Sequence, residues 1–165
     1  MEHLALNGGV KIRKKPFPKH PIIGDEEKRQ VLEVLESGNI STFIASPGEN
    51  FLGGKKIREF ENKFAKKIGT TYGVAFNSAT SALHAAVVAV GVLPGEEVIV
   101  PPYTFTSTAT CALMHNAIPV FCDVKKDTYC LDPAKLESVT SKLSKAVIPV
   151  HLFGHSCDMD EILEI

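Results

Sequence analysis

The stretch from Val74 to Asp123 (VAFNSATSALHAAVVAVGVLPGEEVIVPPYTFTSTATCALMHNAIPVFCD) constrains the fold more than any other part of the chain. Three short apolar runs, Val74–Phe76, Glu97–Val100 and Pro119–Cys122, read as buried strands because β-branched and aromatic residues dominate them. Between the first two, Ala82, Leu83, Ala86, Val87 and Val90 fall on one helical face. A second helix is expected from about Thr106 to His115. Strand, helix, strand, helix, strand is a βαβαβ unit, which requires a parallel sheet with right-handed crossovers. The fold class is therefore α/β, with helices layered on a mainly parallel sheet.

Two turns in this stretch carry chemistry. Asn77-Ser78-Ala79-Thr80-Ser81 is a run of small polar residues where a helix begins. Ser78 or Thr80 can cap that helix, and the N–H groups of its first turn can hold an anion such as a phosphate. An ordinary capped helix start is the other reading. Neither GxGxxG nor GxxxxGK[ST] is present, so the dinucleotide and P-loop fingerprints do not apply. Pro101-Pro102-Tyr103-Thr104-Phe105-Thr106 follows the second strand, and ligands of open α/β sheets bind outside the carboxyl ends of strands. Phe105 is placed to lie over a planar ring, where stacking adds ~0.5–1.5 kcal/mol, or else it is a core residue.

Several motifs in order and in register carry a resemblance: NSATSALH, LPGEEVIVPPYTF, AIPVFCDV, DTYCLDP and KAVIPVHLFG. From about Lys15 to Ile165 the chain resembles the DegT/DnrJ/StrS-type aminotransferases, pyridoxal-phosphate enzymes that aminate keto sugars attached to nucleotides. The resemblance implies the large domain of a fold-type-I transferase, a three-layer αβα architecture, in incomplete form. It implies pyridoxal 5′-phosphate as cofactor, with Ala79 and Thr80 at the cofactor phosphate and Phe105 stacked on its ring. The family motif usually has Gly where this chain has Ala79, which narrows the approach of a ligand to the backbone. A nucleotide sugar, an amino donor (glutamate) and a homodimer completing each site are the implied partners.

The rest of the chain fits around that unit. A chain of 165 residues at 44% hydrophobic content can bury one core. A net charge of −1 gives no chain-wide electrostatic argument for nucleic acid or an anionic membrane. No apolar run approaches ~18 residues, and Met1–Val10 lacks a signal-peptide core, so a cytoplasmic setting is expected. Residues 1–24 read as an extended arm. Its stretch KIRKKPFPKHP, Lys11 to Pro21, is basic and proline-punctuated, and either reaches a partner subunit or a phosphate or is a solvated tail. Residues 25–165 are expected to form the domain.

Within that domain, Asp25 is expected to cap a helix from Glu26 to Ser37, with Val31, Leu32 and Leu35 on one face and Gly38 as its stop. The turn-rich run from Asn39 to Gly54 is similar to a family loop that borders the active site, or is a plain connector. Lys55 to Ile68 follows as a helix with Ile57, Phe60, Phe64 and Ile68 turned into the core. Asp132 and Pro133 start another helix, Lys145 to Leu152 a buried strand ending near His151, and Asp158 a final helix. Cys111, Cys122, Cys130 and Cys157 form no CxxC pair and read as reduced core thiols. His151, His155 and Cys157 have no fourth ligand at usual spacing, so no metal is expected.

One requirement of transamination is missing from these residues. The reaction needs a lysine amine that captures the cofactor aldehyde and an acidic partner for the pyridine nitrogen. The lysines present match no family lysine, so the catalytic set is empty and the chain reads as the amino-terminal part of such an enzyme. Two alternatives stand: a dehydratase of the same family, with histidine for the lysine, and a non-catalytic sugar-nucleotide or phosphate-binding remnant.

Overall fold

The computed structural model describes residues 3–41 and 43–165; Met1, Glu2 and Thr42, part of the expected arm and loop, lie outside the described residues. The chain divides into two compact units, Met1–Glu59 and Phe60–Ile165.

In the first unit, α1 (Asp25–Ser37) starts one residue earlier than expected. Gly24 is its cap, and the Glu27 carboxylate accepts the Gly24 N–H at 2.7 Å. That bond holds the Glu27 carboxyl below its ordinary pKa. Asp25 is instead the first helical residue and pairs with Lys28 at 3.1 Å. Gly38, at φ 68°, closes the helix in the left-handed conformation that glycine adopts without steric cost. Lys56 ties the start of α2 (Lys55–Ile68) to α1 through Glu33 at 2.9 Å and Gln30 at 2.5 Å.

The second unit holds the sheet. Its elements run α3 (Ala79–Ala89), β1 (Glu97–Val100), α4 (Ser107–Leu113), β2 (Ile118–Phe121), α5 (Pro133–Val139), β3 (Ser144–Val147) and α6 (Met159–Glu164). The strands are parallel in the order β2-β1-β3, with Glu97 opposite Ile118 on one side and Ser144 on the other. Alternation along β1 sends Val98 and Val100 to one face and Ile99 to the other, all fully buried. Val98 and Val100 pack with Leu83 and Val87 of α3 and Cys111 and Ala112 of α4. Ile99 packs with Leu136 of α5, Ile162 of α6, Leu131, Cys122, Cys130 and Cys157. Helices cover both faces, the three-layer αβα arrangement. Each fully buried Val or Ile contributes about 1.5–3 kcal/mol over an exposed one.

Three expectations need correction. Val74–Phe76 is not a strand: Val74 is 71% exposed, and the Ala75 N–H is taken at 2.8 Å by the Glu61 carboxylate. Apolar composition makes a strand only where a ladder partner exists, and none of the described residues pairs with this segment. Gly73 just before it lies so close to α2 that a Cβ would sit 2.8 Å from the Glu61 carbonyl oxygen. The stripe on α2 is not core either. Phe60, Phe64 and Ile68 are each more than half exposed, and Ala65 is the helix's buried residue. Third, the strand expected over Lys145–Leu152 pairs only through Val147, after which the Ile148 N–H donates to Ile99 at 2.8 Å and Pro149 has no N–H to offer.

The cysteines are buried and free, each Sγ–H directed at a backbone carbonyl: Cys111 to Thr108, Cys122 to Asp132, Cys130 to His155 and Cys157 to Val150. They serve as small core residues.

Candidate functional site

The site begins at the amino end of α3. Ser78 sits in extended backbone, and its Oγ accepts the Ser81 N–H at 3.1 Å, so Ser78 rather than Thr80 is the cap. The Ser81 hydroxyl closes back on Ser78 at 3.0 Å. Among the described residues, the N–H groups of Ala79 and Thr80 and the Thr80 hydroxyl have no hydrogen-bond partner. These three donors sit where the helix dipole places partial positive charge, and they suit the oxygens of a phosphate. Ala79 is exposed and Thr80 half-buried, so an incoming group can reach both.

The second component follows β1. Pro101 is fully buried and fixes where the chain leaves the sheet. The Phe105 carbonyl accepts the Thr108 N–H at 3.0 Å, and Thr104 and Thr108 join their hydroxyls at 2.8 Å. The backbone of Phe105 is thereby tied into the first turn of α4, while its ring is 76% exposed. The core reading of Phe105 fails. α3 packs on α4, and it leads into the amino end of β1, so its own amino end lies toward the carboxyl edge from which the Phe105 loop departs.

Tyr103, in the loop after β1, and Tyr129, in DTYCLDP, meet ring to ring at 5.7 Å with an interplanar angle of 57°. Tyr129 holds φ 58°, which follows from the turn in which its N–H donates to Lys125 at 2.9 Å. Nothing in local sequence spacing brings these two tyrosines together. His151 is structural: its Nδ1 accepts the Cys157 N–H at 3.0 Å, which also fixes the ring's tautomer with Nε2 protonated when neutral. Burial raises the Cys111 thiol on α4 above its ordinary pKa, so it is a poor nucleophile. Cavities of about 540 Å³ in the first unit, lined by Asn39, Asn50 and Arg58 among others, and about 200 Å³ beside β3 include none of Ala79, Thr80 and Phe105. Ala79 and Phe105 are exposed, and Thr80 is half-buried.

The parallel αβα sheet is that of the fold-type-I pyridoxal-phosphate aminotransferase large domain, in part. Residues 21–165 match the DegT/DnrJ/EryC1/StrS aminotransferase family, and the chain belongs to it. It is 45% identical to the spore coat polysaccharide biosynthesis protein SpsC of Bacillus subtilis over 145 residues, 88% of this chain and 34% of that protein. It is 41% identical to GDP-perosamine synthase of Caulobacter vibrioides over 145 residues, 88% of this chain and 36% of that protein. The fold is similar to 3-amino-5-hydroxybenzoic acid synthase, with a TM-score of 0.80 at 34% identity over 90% of this chain and 36% of that one. It is likewise similar to NtdA of Bacillus subtilis with its bound cofactor PMP, at a TM-score of 0.75 and 31% identity over 94% and 34% of the two chains. The chain thus spans about a third of the length of these relatives. Pyridoxal 5′-phosphate, or its amine form, is the cofactor of this class.

Proposed function

We propose that residues 1–165 supply the phosphate cradle and ring-stacking residue of an enzyme that moves an amino group, donated by glutamate, onto a keto sugar carried by a nucleotide. The observation that carries this reading is the unpartnered donor set of Ala79 and Thr80 beside the Ser78 cap, in a chain of this family. The cofactor supplies the electron sink for proton removal at the donor's Cα. This chain's residues bind and orient: Ala79 and Thr80 hold the phosphate, and Phe105 covers one ring face. Related proteins named for perosamine and spore-coat polysaccharide synthesis support a sugar acceptor. A homodimer in the cytoplasm is part of the same reading, supported by the half-exposed apolar faces of α1 and α2.

The residues that would capture the aldehyde and hold the pyridine nitrogen protonated are not among the lysines and acids assigned here, so residues 1–165 alone bind without turnover. The test is a thermal shift. Pyridoxal 5′-phosphate is expected to raise the melting temperature, and unphosphorylated pyridoxal to leave it unchanged. An equal response to both ligands, or to neither, removes the cradle.

A further inference from the structure

The chain-wide charge of −1 conceals a segregation. Residues 3–24 contain Lys11, Arg13, Lys14, Lys15 and Lys19, five of the chain's 18 basic residues, and none of its 19 acidic ones. None of the five forms an ion pair among the described residues. Interleaved with them are Leu4, Leu6, Val10, Ile12, Phe17, Ile22 and Ile23, every one exposed, with Leu6 at 93% and Ile12 free of any cover. Beyond a single turn at Ala5–Asn7 the segment has no helix or strand to turn these side chains inward.

We propose that the segment from Leu4 to Ile23 docks on an anionic phospholipid surface. Clustered cations are drawn to anionic headgroups, while aliphatic side chains gain by entering the acyl boundary; together they make the two signals that a peripheral attachment needs. Charge complementarity selects the lipid, because five cations lie between residues 3 and 24 with no acid among them, the nearest acids in sequence being Glu2 before and Asp25, Glu26 and Glu27 after. Single-stranded nucleic acid is served less well. Its recognition uses stacked aromatics, and the segment's single Phe, Phe17, already has a face covered by Arg13 at 3.8 Å, leaving His20 as the segment's other aromatic ring. The inference stands apart from the cofactor reading, since it uses none of Ala79, Thr80 and Phe105.

Flotation of the chain through a density gradient with vesicles tests it, since aggregates do not float. At ~0.1 M salt the protein should float with phosphatidylcholine–phosphatidylglycerol vesicles and not with phosphatidylcholine alone, and ~1 M salt, where the screening length falls to about 3 Å, should release it. Neutralising the cations (Lys11→Gln, Arg13→Gln, Lys14→Gln, Lys15→Gln, Lys19→Gln) should lower partitioning about fivefold for each charge removed. The pair Leu6→Ser and Ile12→Ser should weaken flotation at both salt concentrations. No flotation with the anionic vesicles, equal flotation with neutral ones, or an unaffected five-fold variant overturns the proposal. Binding to an RNA oligonucleotide that outcompetes the vesicles and ignores the Leu6 and Ile12 changes also overturns it, in favour of nucleic acid.

Discussion

In the proposed reading Thr80 and Phe105 hold the cofactor, and they do so differently. The Thr80 hydroxyl is a donor waiting for a charged acceptor, and such bonds contribute ~1.5–3 kcal/mol. Thr80→Val keeps the shape of the side chain and removes the donor. In the protein extended to its relatives' length, the cofactor dissociation constant should rise about 10- to 150-fold, with unphosphorylated pyridoxal unaffected; titration of both ligands decides, and equal losses would move Thr80 away from the phosphate. Phe105→Ala removes a ring that is 76% exposed, so its cost falls on binding rather than on folding. Retention should weaken about fivefold, the equivalent of ~1 kcal/mol of stacking, while the melting temperature of the apoprotein holds. Cofactor absorbance after dialysis checks this, and a melting temperature that drops by several degrees would return Phe105 to the core. The Asp132 cap was legible because a helix start is a local event, and it accepts the Ala134 N–H at 3.1 Å as expected. The sequence left Ser78 and Thr80 as alternatives, however, and placed the α1 cap one residue late, at Asp25. The exposure of Phe105 was not legible. A Phe after a strand obeys the same local rules whether its ring turns in or out.

Among the elements, β1 and β2 were readable to within a residue and β3 only at its start, while apolar composition alone misled elsewhere. Val74–Phe76 and the stripe on α2 have the composition of buried elements, but composition reports the wish to be covered and not what covers it. The sheet's second face also sets a pH dependence. Burial pushes up the thiol pKa of Cys122, with Asp132 and Asp123 adding to it, and burial with the neighbouring Cys130 does the same for Cys157. A folded pKa above the unfolded value means stability that is complete below about pH 8.5 and is lost as pH rises through the folded values. Lys125, raised by its contact with Asp158, has the same sign at higher pH. The urea midpoint should therefore fall as the pH rises above about 8.5. Cys122→Ala should flatten that fall at some cost in packing, whereas a midpoint that climbs over this range contradicts the assignment.

At the scale of the whole molecule, the proposed function is cofactor binding without turnover. Incubated with pyridoxal 5′-phosphate, reduced with borohydride and mapped by mass spectrometry, residues 1–165 should show low, scattered labelling of surface lysines. A single stoichiometric adduct together with amino transfer from glutamate would show that one of these lysines is catalytic after all. The order β2-β1-β3 has a further consequence, in time rather than in space. The middle strand is synthesised first, and one of its two neighbours, β3, lies 47 residues downstream at the Glu97–Ser144 contact. As the chain leaves the ribosome, the face built on Val98 and Val100 can close once α4 and β2 are out. The face built on Ile99 must wait for Leu136, β3 and Ile162. The two layers are thus acquired in sequence, the second against the larger loop entropy, and during that interval Ile99 is the uncovered side of a half-made sheet.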